Sequence, residues 1–285
     1  MSAIPQTPIK VADYCASLTQ RHYENFPVAS FLLPRHLRQP IVAIYAFART
    51  ADDFADEGQL DPQTRLTLID DYVSQLRALE NGGVPTSIIF SALAQAINDF
   101  KLPFSPFYDL LSAFRQDVLK KRYATVPEVL DYCRRSANPI GRLLLHIFKQ
   151  ANDQTAAYSD AICTALQLIN FLLDIQADWQ KGRIYLPMDE VAHHDITEQQ
   201  FAQWQANSAW KALINLQIAR ADSLLKTGTP LGAHLKGRQG FEIRLTIAGG
   251  TTVLQKLRYQ NAHGIMNNAR LTRLDWVKIL ISAIK

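Results

Sequence analysis

Apolar residues recur along the chain at the three- to four-residue spacing of amphipathic helices, whereas alternating β-branched runs bounded by turn dipeptides are missing. This pattern predicts an all-α fold. The predicted helices run from Ile9 to Glu24, Leu37 to Asp56, Pro62 to Glu80, Pro85 to Asp99, Phe107 to Lys121, Val126 to Ser136, Gly141 to Gln150, Ala156 to Lys181, Ala206 to Thr227, Phe241 to Asn261 and Thr272 to Ile284.

The segments between these helices are short and rich in Gly, Pro and Asn, so none of them is long enough to link two domains. They are Phe26-Pro27, Asn81-Gly82-Gly83, Pro103 with Pro106, Asn138-Pro139, Gly182, and Gly237 to Gly240. The chain contains no internal repeat. We therefore expect residues 1–285 to form a single domain, an orthogonal bundle of about ten helices around a central cavity.

Composition narrows the class of protein. With 48% hydrophobic and 20% charged residues, the chain is globular. The net charge is +4, but basic residues are scattered among carboxylates, so we expect no binding to nucleic acid.

Cys15, Cys133 and Cys163 are far apart, which favours neither a disulfide framework nor a zinc site. No signal peptide and no apolar run of about 18 residues is seen, so we expect a cytoplasmic protein.

A row of polar side chains lies on the predicted helix from Leu37 to Asp56. Tyr45, Arg49, Asp52 and Asp56 follow one another at steps of four, three and four residues, so they share one side of the helix, with Asp53 beside them. Acidic residues at this spacing also occur on ordinary solvated helix faces. This row alone therefore leaves both interpretations open.

A second polar row interrupts a strongly apolar helix. Gln167, Asn170, Asp174 and Asp178 lie at helical spacing among Leu, Ile and Phe residues. A solvated face explains this row less well, because its surroundings are those of a buried helix.

Both rows place carboxylates near helix ends, since Gly58 and Gly182 are expected to terminate the helices. Each carboxylate there costs roughly 0.3 to 1 kcal/mol against the helix dipole, and neighbouring carboxylates repel one another. A bound cation would offset this cost. Mg²⁺ suits oxygen ligands and substrate phosphates, with Mn²⁺ as an alternative, whereas zinc would favour His or Cys. The predicted metal-binding residues are Asp52, Asp53, Asp56, Asn170, Asp174 and Asp178.

At these residues the chain resembles the squalene/phytoene synthase family, which pairs an Asp-x-x-x-Asp helix with an Asn-x-x-x-Asp-x-x-x-Asp helix. Both patterns are intact here. Further similarity occurs at His22 to Pro34, Tyr132-Cys133 and Arg183 to Pro187. The resemblance implies a helical bundle of the isoprenoid synthase type, in which the two aspartate motifs face each other across a common cavity.

Within the family, the motifs most resemble the hydroxysqualene synthases of the bacterial hopanoid pathway. These enzymes convert presqualene diphosphate and water into hydroxysqualene and diphosphate, so no NADPH is expected. The matching segments are Glu24 to Ser30, Arg49 to Asp53, Tyr132 to Arg142 and Asp178 to Tyr185. The chain departs from phytoene synthases and one-enzyme squalene synthases at Glu24-Asn25 and at Arg135 to Pro139, where those enzymes often have a Lys-Ser or Ser pair and a Val-Ala-Gly stretch.

The resemblance also implies roles for individual side chains. The expected substrate-binding residues are His22, Phe26, Arg49, Gln167, Arg183 and Tyr185. Tyr45 and Tyr132 are expected to be catalytic, because an aromatic face stabilises a nearby carbocation. An isolated aromatic residue on a helix is also a common core residue, so these two roles rest on the family pattern. The sequence identifies no residue that would position the attacking water.

Partners follow from the same resemblance. They are a small lipophilic diphosphate as substrate, and a functional coupling to a presqualene diphosphate synthase and to a hydroxysqualene-reducing flavoenzyme. The segment from Leu274 to Lys285 is apolar with lysines and a Trp, which fits either a helix closing the bundle or a peripheral contact with the inner face of the membrane.

Two other functions remain open. One is the head-to-head condensation of prenyl diphosphates by a squalene or phytoene synthase. The other is a non-catalytic assembly protein on the same fold, which would have little reason to keep both aspartate motifs.

Overall fold

The computed structural model describes residues 33–203, 207–264, 269 and 271–284. This part of the chain is mostly helical, which confirms the all-α prediction, and it also contains two short strands. The predicted helix from Ile9 to Glu24 and Cys15 lie outside the described residues. The elements are α1 Arg35–Asp56, α2 Pro62–Glu80, α3 Ile88–Phe100, α4 Ser105–Leu119, β1 Arg122–Tyr123, α5 Val126–Ser136, α6 Asn138–Ile147, α7 Asp153–Leu173, α8 Ile175–Gln180, β2 Ile184–Pro187, α9 Met188–His193, α10 Glu198–Gln203, α11 Ser208–Gly228, α12 Leu231–His234, α13 Gly237–His263 and α14 Arg273–Ile284.

Several helices begin where the sequence supplies a capping side chain. The Asp61 carboxylate accepts hydrogen bonds from the Thr64 backbone N–H at 3.0 Å and from the Thr64 hydroxyl at 2.6 Å. Pro62 follows as the first residue of α2, where its missing N–H costs nothing. The Ser87 hydroxyl accepts from the Phe90 N–H at 3.3 Å at the start of α3. These caps fix the helix starts locally.

The described chain divides into two compact units. The first unit contains residues 33–119 and 139–152, and the second contains residues 120–138 and the described residues from 153 onward. The expectation that residues 1–285 form one domain stays a prediction.

An aromatic core holds α1 in the first unit. Helix α1 packs against α2, α3 and α4. The Phe47 side chain is fully buried, with its ring centroid 5.6 Å from Tyr72, 5.7 Å from Phe90 and 5.4 Å from Phe107. Contacts of this kind fix ring geometry as well as burying apolar area. The helix that carries the first aspartate motif therefore stands on a well-packed base.

The second unit is organised around α7, which packs along α11 and also contacts α5 and α13. The helices α7 and α11 approach closely at Gly228. A Cβ atom at this position would lie 2.4 Å from the Ile162 Cγ1 atom and 2.7 Å from the Tyr158 carbonyl oxygen. Only glycine permits this approach.

The two strands form a parallel pair immediately after the second aspartate motif. Arg122 lies opposite Ile184, and Tyr123 lies opposite Pro187. The Ile184 N–H donates to the Lys121 carbonyl at 3.0 Å. Periodicity did not predict these strands, because two to four residues are too few to show an alternating pattern. We refer to this pair of strands as the clip.

Several predicted boundaries were wrong. The predicted separator Asn138-Pro139 is the start of α6, and Pro106 lies within α4. The helix predicted from Ala156 to Lys181 is two helices, α7 and α8, with Asp174 between them at φ −106° and ψ 11°. The segment from Gly237 to Gly240, predicted as a separator, is the first turn of α13.

Helix α7 is also long and apolar enough to cross a membrane when length and composition alone are considered, the one such helix among the described residues. The sequence predicted no such segment, because no run of about 18 uninterrupted apolar residues is present. Half of the most apolar stretch of α7 is buried within the protein, as in a core helix.

Two of the three cysteines lie within the described residues. Cys133 and Cys163 are free thiols. Burial of Cys133 raises its pKa to about 12, so it packs as a neutral apolar group.

We expect Gly228→Ala to lower the free energy of unfolding by about 1–3 kcal/mol, because the added methyl group overpacks the contact between α7 and α11. Thermal unfolding followed by circular dichroism measures the change. Ser223→Ala is the matched control, since Ser223 is exposed on the same helix. Equal melting temperatures for the two variants would show that the helices do not meet as closely as described.

Candidate active site

The first aspartate motif forms an ion-pair cluster on α1. The Arg49 guanidinium lies 3.3 Å from the Asp52 carboxylate and 2.7 Å from the Asp53 carboxylate. Tyr45 and Asp56 are partly buried residues of the same helix, as the spacing predicted. The structure therefore brings the predicted arginine and aspartates of this helix together.

Negative charge accumulates around Asp52. Although 36% of its side chain is exposed, burial of the carboxyl group among protein atoms raises the pKa of Asp52 to about 7. The carboxylates of Asp56, Asp117 and Asp53 raise this pKa further, and Arg49 opposes them. A divalent cation would stabilise the ionised form of such a cluster.

Asp117 also contributes negative charge near Asp52, although it was not among the residues predicted from the sequence. It lies on α4 and is only 3% exposed. A signal was available, because Asp117 follows the buried residues Leu110 and Phe114 at helical spacing and so occupies an apolar position. A carboxylate there requires compensation.

The C-terminal end of α1 is held by Arg65 from the start of α2. Its guanidinium donates to the carbonyl oxygens of Phe54 at 2.9 Å, Glu57 at 3.0 Å, Gly58 at 2.9 Å and Leu60 at 3.1 Å. Gly58 adopts φ +69°, as expected for a helix terminator. Arg65 thus satisfies carbonyls that the helix end leaves over, and its charge opposes the negative end of the dipole. Arg65 therefore offsets part of the unfavourable electrostatic energy at this helix end, which the sequence-based prediction assigned to a metal ion alone.

The second aspartate motif keeps its helical phase across the break between α7 and α8. The Asp174 N–H donates to the Asn170 carbonyl at 2.9 Å, and the Asp178 N–H donates to the Asp174 carbonyl at 2.8 Å. The three side chains therefore follow one another at single-turn steps, although the predicted continuous helix is interrupted. Gln167 lies one turn earlier on α7 and is partly buried.

Asp178 is paired with Arg183. Burial raises the pKa of Asp178 to about 6, while Arg183 lowers it and Asp174 raises it. The Arg183 Nη2 atom lies 3.3 Å from the Asp178 carboxylate, and the whole residue is only 8% exposed. A buried guanidinium beside the aspartate motif can hold an anion such as diphosphate.

Arg122 anchors the turn that precedes Arg183. Its guanidinium donates to the Gly182 carbonyl at 2.5 Å, pairs with Glu198 at 2.9 Å and lies 5.7 Å from the Trp179 ring. Gly182 adopts φ +74°, which confirms it as a helix terminator. No local sequence pattern marks this arginine, because its partners are distant along the chain.

Four buried rings form an aromatic cluster next to Arg183. Phe171 and Tyr185 stack in parallel with centroids 4.1 Å apart, Tyr123 stacks on Tyr185 at 5.4 Å, and Tyr132 lies 5.5 Å from Tyr185. The Arg183 guanidinium is 5.7 Å from the Tyr185 ring. The structure thus places the predicted residues Tyr132 and Tyr185 together, and adds Tyr123 and Phe171, which the sequence analysis did not select.

The predicted roles of His22 and Phe26 concern residues that lie outside the described part of the chain. The first aspartate motif belongs to the first unit and the second motif to the second unit, so their facing each other stays a prediction. A cavity of about 870 Å³ lies against α12, α13 and α14, and none of the predicted site residues lines it. The central cavity also stays a prediction.

The donor set fits Mg²⁺ shared with a substrate. Among the described residues, no group of three or more His, Cys, Asp or Glu side chains is arranged to hold a metal ion by itself. Mg²⁺ is commonly bound by one or two carboxylates, several waters and substrate phosphates, and seldom by a complete protein cage. Each motif offers two carboxylates one helical turn apart, Asp52 with Asp56 and Asp174 with Asp178, and burial raises the pKa of Asp52 in the first and of Asp178 in the second.

Comparison with known proteins gives a consistent result. The family model described as squalene/phytoene synthase matches residues 19–278. A hydroxysqualene synthase of Rhodopseudomonas palustris is 37% identical over 238 residues, covering 82% of this chain and 80% of that protein. A phytoene synthase of Mycobacterium tuberculosis is 36% identical over 225 residues, covering 78% of this chain and 73% of that protein. The crystal structure of squalene synthase HpnC from Alicyclobacillus acidocaldarius superposes with a TM-score of 0.82 at 37% identity, covering 90% of this chain and 97% of that one.

We expect Arg65→Ala and Arg122→Ala each to lower the free energy of unfolding by about 1–3 kcal/mol. Arg65→Ala leaves four carbonyl oxygens without a charged donor, and Arg122→Ala leaves the Lys121 and Gly182 carbonyls without one. Chemical denaturation measures the change. Arg258→Ala is the control, since Arg258 forms one exposed ion pair with Asp222 and should change stability by under about 1 kcal/mol. If all three variants lose the same small amount, these two arginines do not hold the ends of the motif helices.

Proposed function

The chain belongs to the squalene/phytoene synthase family, and we propose that it acts as a hydroxysqualene synthase, converting presqualene diphosphate and water into hydroxysqualene and diphosphate. The observation that carries this proposal is the similarity to hydroxysqualene synthases over most of the chain. Both aspartate motifs are intact, which supports catalysis over a purely structural role.

We propose that Asp52, Asp53, Asp56, Asn170, Asp174 and Asp178 hold Mg²⁺, or Mn²⁺ in its place, together with the diphosphate of the substrate. The bound ion would supply electrostatic stabilisation of the departing diphosphate. The raised pKa values of Asp52 and Asp178 support this assignment, because a nearby cation would stabilise the ionised form of both groups and lower both pKa values.

Arginine side chains are proposed to grip the diphosphate while the bond between carbon and oxygen breaks. The electron pair of that bond leaves with the diphosphate, so negative charge on the leaving group increases as the reaction proceeds. Arg183 is suited to this task because it is buried and fixed beside Asp178, and Arg49 occupies a similar place beside Asp52. His22, Gln167 and Tyr185 are proposed to complete the binding of the substrate.

The cation left behind must be surrounded by groups that do not attack it. We propose that Tyr132 with its neighbours in the aromatic cluster, and also Tyr45 and Phe26, line the hydrocarbon part of the site. A ring face stabilises a nearby cation by roughly 0.5 to 2 kcal/mol. After rearrangement of the cyclopropane, a water oxygen forms the new bond to carbon and releases one proton, which gives the alcohol. The reaction consumes no reductant, so NADPH is not required.

In enzyme classification this reaction is that of a carbon–oxygen lyase acting on phosphates. We place the protein in the cytoplasm, with a peripheral contact at the inner face of the membrane that supplies its lipophilic substrate. A presqualene diphosphate synthase would deliver the substrate, and a hydroxysqualene-reducing flavoenzyme would consume the product.

The similarity to phytoene synthases favours a second candidate, the head-to-head condensation of two prenyl diphosphates. Incubation with presqualene diphosphate and Mg²⁺, with and without NADPH, followed by mass spectrometry, separates the two. We expect hydroxysqualene in equal amounts in both reactions. Formation of squalene only with NADPH, or turnover of farnesyl or geranylgeranyl diphosphate alone, would assign the chain to another activity of the family.

We expect Mg²⁺ and diphosphate together to raise the melting temperature, since saturation at a hundredfold excess over Kd contributes about 2.7 kcal/mol. Asp52→Asn and Asp174→Asn should each lose most of this shift and most of the activity. Asp71→Asn, an exposed aspartate of α2, is the control and should behave as the unmodified protein does. A scaffold protein would show no shift that requires both ligands.

A further inference from the structure

The last helix, α14, exposes an apolar surface to solvent. Its exposed large apolar residues recur at intervals of three, three, one and three, so they occupy one side of the helix. Their exposed fractions lie between 43% and 75%. We call this surface the outer face of α14, and it consists of Leu274, Val277, Leu280, Ile281 and Ile284.

The opposite side of α14 is firmly attached to α13, so the orientation of the outer face is fixed. Ile279 is 1% exposed and packs against Leu245 of α13. Near the start of α14, the Asp275 carboxylate pairs with Lys256 at 2.5 Å, and near its end the Arg244 guanidinium donates to the Ala283 carbonyl at 2.7 Å. The helix therefore cannot turn its apolar side inward without breaking these contacts.

The charges around the outer face are positive. Arg273 and Lys278 are exposed residues of α14, and the one carboxylate of this helix, Asp275, is engaged by Lys256. Lys236 and Arg238 are exposed at the start of α13, which lies near the end of α14 because Arg244 reaches Ala283. An apolar strip flanked by cations is complementary to a surface that is apolar below and anionic above.

We propose that the outer face of α14 docks the protein on a membrane surface rich in anionic phospholipids, with the helix lying in the plane of the interface. A second copy of the chain fits this face less well. A 12-residue helix is about 18 Å long and about 10 Å wide, so its outer face offers about 200 Å². Stable protein interfaces bury about 800 Å² on each partner.

The use of this surface to collect a lipophilic diphosphate rests on the proposed function, but lipid binding itself does not. None of the five apolar residues belongs to the aspartate motifs, the clip or the aromatic cluster. Lipid binding and catalysis can therefore be measured separately, and failure of one leaves the other in place.

Flotation of the full chain with lipid vesicles tests the proposal. We expect binding to vesicles of phosphatidylcholine with 30% phosphatidylglycerol, and about fivefold weaker binding for each cation removed in Arg273→Gln and Lys278→Gln. The double variant Val277→Ser with Ile281→Ser should bind at least about tenfold less, because it removes two exposed apolar side chains from the interface.

The matched control is the double variant Val84→Ser with Leu119→Ser, which removes similar exposed apolar side chains far along the chain from α14, 87% and 62% exposed. It should bind vesicles as the unmodified protein does. Thermal unfolding verifies that both double variants fold. If the double variant Val277→Ser with Ile281→Ser does not fold, the single variant Ile281→Glu replaces it in the flotation experiment. Turnover of detergent-dispersed substrate should be unchanged in all of them.

Three results would overturn the proposal. The first is that the unmodified chain fails to float with anionic vesicles, and the second is that the two double variants lose binding equally. The third is a dimer, found by light scattering, that only the Val277→Ser with Ile281→Ser variant dissociates. The last result would assign the outer face of α14 to a second copy of the chain.

Discussion

Carboxylates placed close together at helix ends are the constraint on which both aspartate motifs depend. Those of the first motif meet the negative end of the α1 dipole, Asp174 lies between α7 and α8, and in both motifs neighbouring carboxylates repel one another. Both units contain an arginine from outside the motif that binds the carbonyl of the terminating glycine. Arg65 reaches the Gly58 carbonyl after the first motif, and Arg122 reaches the Gly182 carbonyl after the second.

These arginines bind backbone carbonyl oxygens at the helix ends. They do not neutralise the carboxylates of the motifs. The pKa of Asp52 remains raised by burial and by Asp56, and that of Asp178 remains raised by burial even though Arg183 lies beside it. A divalent cation beside these carboxylates would stabilise their ionised forms. This is the physical basis of the proposal that the motifs hold a metal ion together with a diphosphate.

The sequence predicted those features that depend on neighbours a few residues away. The bounds of Pro62–Glu80 and Val126–Ser136 agree with the prediction, because periodicity and capping residues act within one or two helical turns. The two polar rows were found for the same reason. The clip, Arg122 and the stacking of Phe171 on Tyr185 depend on partners far along the chain, so no local pattern marks them. Asp117 was predictable only in part. Its place in an apolar row is visible in the sequence, but its proximity to Asp52 is not.

The clip has a consequence for the order in which the second unit assembles. It joins segments 60 residues apart, and closing a loop of that length costs about 3–4 kcal/mol in chain entropy. A few hydrogen bonds at about 1 kcal/mol each cannot meet that cost, so the strands pair only after α5 and α7 have packed. Arg183 and Tyr185 therefore reach their positions only after that packing. A nascent or partly unfolded chain therefore lacks the ion pair between Arg183 and Asp178 until those helices are in place.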